Sequence, residues 1–91
     1  MAVLSRAEIF RDTVATLEQQ LGVASPSSIT EETRFFADLG LASIDAVVLS
    51  EAIQKHYDRP LPFNDLMADI GRRTDRDISI GELVSFLSAN L

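Results

Sequence analysis

Ser43 is the side chain whose surroundings most suggest chemistry. It stands in D-L-G-L-A-S-I-D, bracketed by Asp38 and Asp45. As a conventional nucleophile it would need a base within hydrogen-bond reach. The chain has one histidine, His56, 13 residues further along the same expected helix. At 1.5 Å per residue this is about 20 Å away, so the two cannot form a dyad inside one monomer. Asp38 and Asp45 read as helix-end and surface acids, because nothing in the pattern suggests a deep pocket that would raise a carboxyl pKa. Cysteine is absent. Thiolate nucleophiles, disulfides and thiolate metal sites are therefore excluded, and one imidazole cannot build a histidine metal cluster. Gly40 stands alone and makes no phosphate-binding loop. It suits a turn position with positive φ that brings the chain into the following helix and leaves Ser43 at the entrance. A hydroxyl there either caps the helix or carries a modification. Free N–H groups and the positive helix end favour a phosphate on that oxygen.

The elements that must position Ser43 read as helices. Ser5 and Glu8 form the S-x-x-E pattern of a capping box. Phe10, Val14, Leu17 and Leu21 then recur at helical spacing, with Ile9 beside them, and Gly22 is a natural stop. This predicts a first helix over 6–21. Residues 22–37 hold Gly22, Pro26 and three serines and form a long loop, held down by Ile29 and by Phe35 or Phe36. Thr30 to Thr33 add a short turn. The second helix should begin at Ser43 or Ile44 and reach His56 or Tyr57. Ala46, Leu49, Ile53 and Tyr57 share one side and are assigned to the core. Ile44, Val47 and Val48 share the other and are assigned to an exposed patch beside Ser43, rimmed by Asp45 and Glu51. Pro60 and Pro62 close the next connection. Phe63, Leu66 and Ile70 anchor a short helix over 63–70, and Gly71 with the charged run Arg72 to Asp77 forms a solvated loop. Ser79 and Glu82 repeat the capping-box pattern. Ile80, Leu83, Val84, Leu87 and Leu91 then give the last helix its apolar face, with Phe86 at the edge. The expected fold is all-α: a small four-helix bundle of three main helices and one short one, in a single domain over 1–91.

Composition narrows the function classes. The 91 residues carry 14 acids against 8 bases, for a net charge of −6. A binder of duplexes or membranes that works by neutralising phosphates needs the opposite balance. Residues 31–54 hold five acids and one arginine, which reads either as a docking surface for a basic partner or as a charged field that serves solubility. Hydrophobic residues at 46% and charged ones at 24% are the proportions of a folded globular chain. The N-terminal MAVLSRAEIF lacks a long apolar run after a basic patch, and no stretch approaches the roughly 20 apolar residues that span a bilayer. A cytoplasmic protein is expected.

The segment FADLGLASIDAVVLSEAI resembles the prosthetic-group attachment region of acyl carrier proteins and the related peptidyl carrier proteins, whose signature is roughly D-L-G-x-D-S-L. Asp38, Leu39, Gly40, Ser43 and Asp45 match, and Ile44 stands for the usual leucine. The capped first helix, ITEETRFF in the long loop, PLPF before the short helix and ISIGELVSFL at the end extend the resemblance over about residues 5–90. The resemblance implies that Ser43 carries a covalent 4′-phosphopantetheine arm, placed by a separate phosphopantetheinyl transferase that uses coenzyme A. The arm's thiol would hold acyl or aminoacyl groups as thioesters. The implied partners are that transferase, an acyl- or aminoacyl-loading enzyme and ketosynthase or condensation-type enzymes, met by a monomer through Asp38, Leu41, Ile44, Asp45, Val47, Val48 and Glu51. Two positions depart from the pattern: Ala42 replaces the acid before the serine, and Val48 replaces a glutamate of the second helix. Both point to a dedicated partner set, of the polyketide or nonribosomal peptide kind, rather than the housekeeping fatty-acid system. The competing reading is a small acidic helical interaction module with no prosthetic group, in which Ser43 is only a helix cap. Such a carrier does no bond chemistry with its own side chains, so neither reading is an enzyme.

Overall fold

Four α-helices follow one another in the computed structural model, which describes residues 4–23 and 26–91. They are α1 (Arg6–Leu21), α2 (Ser43–Tyr57), α3 (Phe63–Arg72) and α4 (Ile80–Asn90), with a 3-10 turn at Pro26–Ser28. The first three residues of the N-terminal stretch and Ser25 of the long loop lie outside the described residues. The fold is the expected all-α four-helix bundle.

Local chemistry sets the helix ends. The Ser5 hydroxyl oxygen accepts from the Glu8 amide at 3.1 Å, satisfying one of the unpaired donors that open α1. Gly22 ends the helix in the left-handed region at φ 66°. Ser79 and Glu82 form the reciprocal capping box at the start of α4. At the end of α2, Asp58 adopts φ 54°, and its amide reaches back to helix carbonyls.

The buried line of α1 runs Ile9, Thr13 and Leu17, while Phe10, Val14 and Leu21 are only partly covered. The stripe is turned from the one expected, because Thr13 takes a core position. Its hydroxyl donates to the Ile9 carbonyl at 2.8 Å, so the polar atom is satisfied and the methyl packs. α1 lies against both α2 and α4. Leu49 and Ile53 from α2, with Ile80, Val84 and Leu87 from α4, close the core around it. Phe63 of α3 packs its ring on Phe86 of α4, with centroids 5.1 Å apart. Ile29 and Phe35 are the buried anchors of the long loop, and Phe36 is partly covered.

Two boundaries differ from expectation. α3 runs through Gly71 to Arg72, its last turn tied by Asp69 to Arg73 at 2.9 Å. The charged run after it is not wholly solvated, since Asp77 is only 6% exposed. The radius of gyration is 12.3 Å, matching the ~12 Å of a compact chain of this length. No helix among the described residues is long and apolar enough to cross a membrane.

Candidate functional site

Ser43 is exposed and is the first residue of α2, with Ala42 in the N-cap position. Alanine has no side-chain acceptor to offer. The helix start is instead tied from inside: Asp45 Oδ2 accepts from the Ala42 amide at 2.7 Å. The Ser43 hydroxyl is thereby excused from capping and takes no side-chain hydrogen bond. Gly40, at φ 67°, makes the bend that delivers the chain to this corner. No atom would crowd a Cβ there, so the demand for glycine is conformational.

The approach to the corner is held as a knot. The Asp38 carboxylate accepts from the Arg34 amide at 2.8 Å. The Asp38 and Leu39 amides both donate to the Arg34 carbonyl, and the Gly40 amide donates to the Phe36 carbonyl. The knot is stitched to the start of α4. The Phe35 amide donates to the Ile78 carbonyl at 2.9 Å, Ile80 to Thr33 at 2.8 Å and Gly81 to Glu31 at 2.9 Å. Gly81 is needed for that approach, since a Cβ would lie 3.0 Å from Glu31 atoms.

Around Ser43, Ile44 is 67% exposed, Val47 47% and Val48 37%, so the apolar patch stands open as expected. Glu51 and Asp38 are exposed and Asp45 is half-buried. Leu41 is also half-buried and packs on the core, which leaves only part of it on this face. His56 turns toward α1, with Nε2 3.5 Å from Asp12. Tyr57 donates to the same carboxylate at 2.9 Å. Burial first, and then that hydrogen bond, push the Tyr57 phenol above its ordinary value. Neither side chain is turned to Ser43. An apolar cavity of about 20 Å³ lies among Phe35, Ala46, Leu49, Phe63, Met67 and Ile70, room for roughly one water-sized group. No cluster of three metal-ligating side chains occurs among the described residues.

Sequence reasoning missed Asp77. One oxygen accepts from the Phe36 amide at 3.0 Å and the Ile78 amide at 2.8 Å, and the other accepts from the Ala37 amide at 3.1 Å. Burial opposes its charge, but the three amides and the Arg34 guanidinium together hold its carboxyl below the ordinary value. A lone aspartate in a charged run carries no periodic signal. Its place two residues before the Ser79 cap was the available clue.

This corner fits a phosphopantetheine ester. An unengaged exposed hydroxyl stands on a helix N-terminus, where unpaired N–H groups and the helix dipole favour a phosphodiester charge. Residues 11–87 match the protein family described as the phosphopantetheine attachment site. The chain is 32% identical over 79 residues to the mitochondrial acyl carrier protein of Saccharomyces cerevisiae, covering 87% of this chain and 57% of that relative. It is 27% identical to the acyl carrier protein of Wolinella succinogenes, covering 90% of this chain and 96% of the relative. Identity to an acyl carrier protein of Helicobacter pylori is 26%, with 90% and 94% covered. The chain therefore belongs to the phosphopantetheine-attachment family of acyl-carrier-type proteins, which hold a covalent 4′-phosphopantetheine and act as carriers rather than enzymes.

Proposed function

We propose that the chain carries acyl or aminoacyl groups for polyketide or nonribosomal peptide assembly, in the cytoplasm, with Ser43 as the attachment residue. The observation that carries this reading is the division of labour at the start of α2. Asp45 ties the Ala42 amide, and the Ser43 hydroxyl is left exposed and free of side-chain duty. Ala42 rather than Ser43 holds the cap position, which supports attachment at Ser43 over the reading of it as a helix cap.

The attached arm supplies a thiol on which cargo rides as a thioester. The protein's own residues hold that arm at a rigid corner and offer a surface to be read. Ile44, Val47 and Val48 give the apolar centre of that surface, and Asp38, Asp45 and Glu51 give acids that orient a basic partner. Rim charges speed and steer encounter, while buried apolar contacts hold it. Ala42 and Val48 support the specialised pathway, since each removes a charge that a general transferase or synthase would read. The partners on this reading are a phosphopantetheinyl transferase, a loading enzyme and ketosynthase or condensation-type enzymes.

Incubation with coenzyme A and a broad-range phosphopantetheinyl transferase, followed by intact-mass measurement, tests the reading. The wild-type chain gains one phosphopantetheine and Ser43→Ala gains none. A wild-type chain that stays unmodified, even with a transferase from the same genome, would favour the interaction module.

A further inference from the structure

Asp77 stands 34 residues beyond Ser43 in sequence, yet its carboxylate grips the loop that leads to it. Its two oxygens accept the amides of Phe36, Ala37 and Ile78 at 2.8–3.1 Å. Arg34 Nε lies 3.4 Å from Oδ2, and the Arg34 guanidinium also pairs with Asp75. From the other side, Arg73 Nη1 donates to the Asp77 carbonyl at 3.0 Å and extends to Glu82 at 2.8 Å. Phe36 in turn accepts the Gly40 amide. The grip therefore passes from Asp77 through Phe36 to Gly40, the residue whose bend sets Ser43 at the helix entrance. Arg34, which holds Asp38 through its amide and its carbonyl, is caught in the same cluster. Three amides that share one buried carboxylate lose their acceptor together when it is removed, and unmet buried donors are costly.

We infer that Asp77 is a positioning residue for phosphopantetheine attachment, holding the Arg34–Gly40 turn so that the transferase meets the Ser43 corner already formed. This rests on Ser43 being the attachment residue. Without the anchor, the turn samples other arrangements, and only the fraction in the docked arrangement is recognised. Apparent affinity falls by that fraction, so the loss belongs in KM rather than kcat.

The test compares transferase kinetics for the 91-residue wild type, Asp77→Asn and Gln54→Leu, each well below its own melting temperature. Gln54 accepts the Leu61 amide at 2.9 Å and sits about 16 Å along α2 from Ser43. Its loss weakens the fold without touching the turn. Asp77→Asn is expected to raise KM on the order of tenfold with kcat nearly kept, while Gln54→Leu stays within about twofold of wild type. Equal loading of Asp77→Asn and wild type overturns the inference, as does an equal loss in Gln54→Leu. A wild-type chain that gains no mass overturns the attachment reading as well, so the two failures are distinct. Should Asp77→Asn not fold, hydrogen exchange on the wild type decides. The Phe36, Ala37 and Ile78 amides must open together as one unit, and unrelated exchange among them overturns the inference.

Discussion

The Ser43 hydroxyl is free because its neighbour before it is an alanine and its neighbour two places after it is an aspartate. Had Ser43 itself held the cap position, its oxygen would have been committed to a backbone amide. Ser43→Ala is therefore expected to change stability by less than about 0.5 kcal/mol, read as an unchanged urea midpoint, while abolishing loading. The exposed serine and the bend at Gly40 were legible in the sequence, because glycine and a short polar side chain before an apolar run mark a turn into a helix. Which residue capped that helix was not legible. The choice between Ala42 and Ser43 depends on a hydrogen bond from the Ala42 amide to Asp45 that spacing alone does not reveal. Thr13 was hidden for a similar reason, since only a satisfied hydroxyl lets threonine sit in an apolar stripe.

Helices were legible where caps and periodicity agreed, as at Ser5, Gly22 and Ser79, and less so where tertiary partners decided. α3 continues past Gly71 to Arg72, and Arg73 behind it reaches beyond the helix to the Asp77 carbonyl and to Glu82 of α4, partners that residue type in a charged run does not reveal. α2 ends on Asp58 at φ 54°, an uncomfortable conformation for a side chain, with a negative charge at the negative end of the helix. Asp58→Gly is expected to stabilise the protein by about 0.5–1 kcal/mol, seen as a higher urea midpoint with an unchanged slope. The connection between α3 and α4 depends on Asp77 being ionised. Its folded pKa lies below the ordinary 3.8, so its contribution is fully present above that value and is lost as pH falls through the folded pKa. The stability gap between wild type and Asp77→Asn should accordingly be widest near neutral pH and narrow below pH 3.8, measured by urea unfolding across that range. A gap independent of pH would show that the charge is not what the three amides require.

Among the described residues a small core, an acidic field and an open apolar patch of Ile44, Val47 and Val48 surround the Ser43 corner. Leu17, Val84 and Leu87 are fully buried, and truncating any of them to alanine costs about 2–5 kcal/mol, a large share of the stability of so small a bundle. The patch obeys a different rule, because its residues are already in water. Ile44→Ser with Val47→Ser should leave the melting temperature nearly unchanged and raise the transferase's KM, and the acids around the patch should make that encounter weaker as salt rises. The helix-facing pattern made both the core and the patch readable, since a bundle of this length cannot cover two sides of α2. The stitching of the long loop to α4 through Glu31, Thr33 and Phe35 was not readable, because backbone carbonyls leave no trace in residue type. Which oxygen takes the arm is decided on the tryptic peptide spanning residues 35–55. That peptide holds only two hydroxyl side chains, Ser43 and Ser50, and Ser50 donates to the Val47 carbonyl at 2.8 Å within α2. Fragmentation of the peptide from the loaded protein should place the phosphopantetheine on Ser43, whereas an arm on Ser50, or a peptide with no added mass, would exclude Ser43 as the attachment residue.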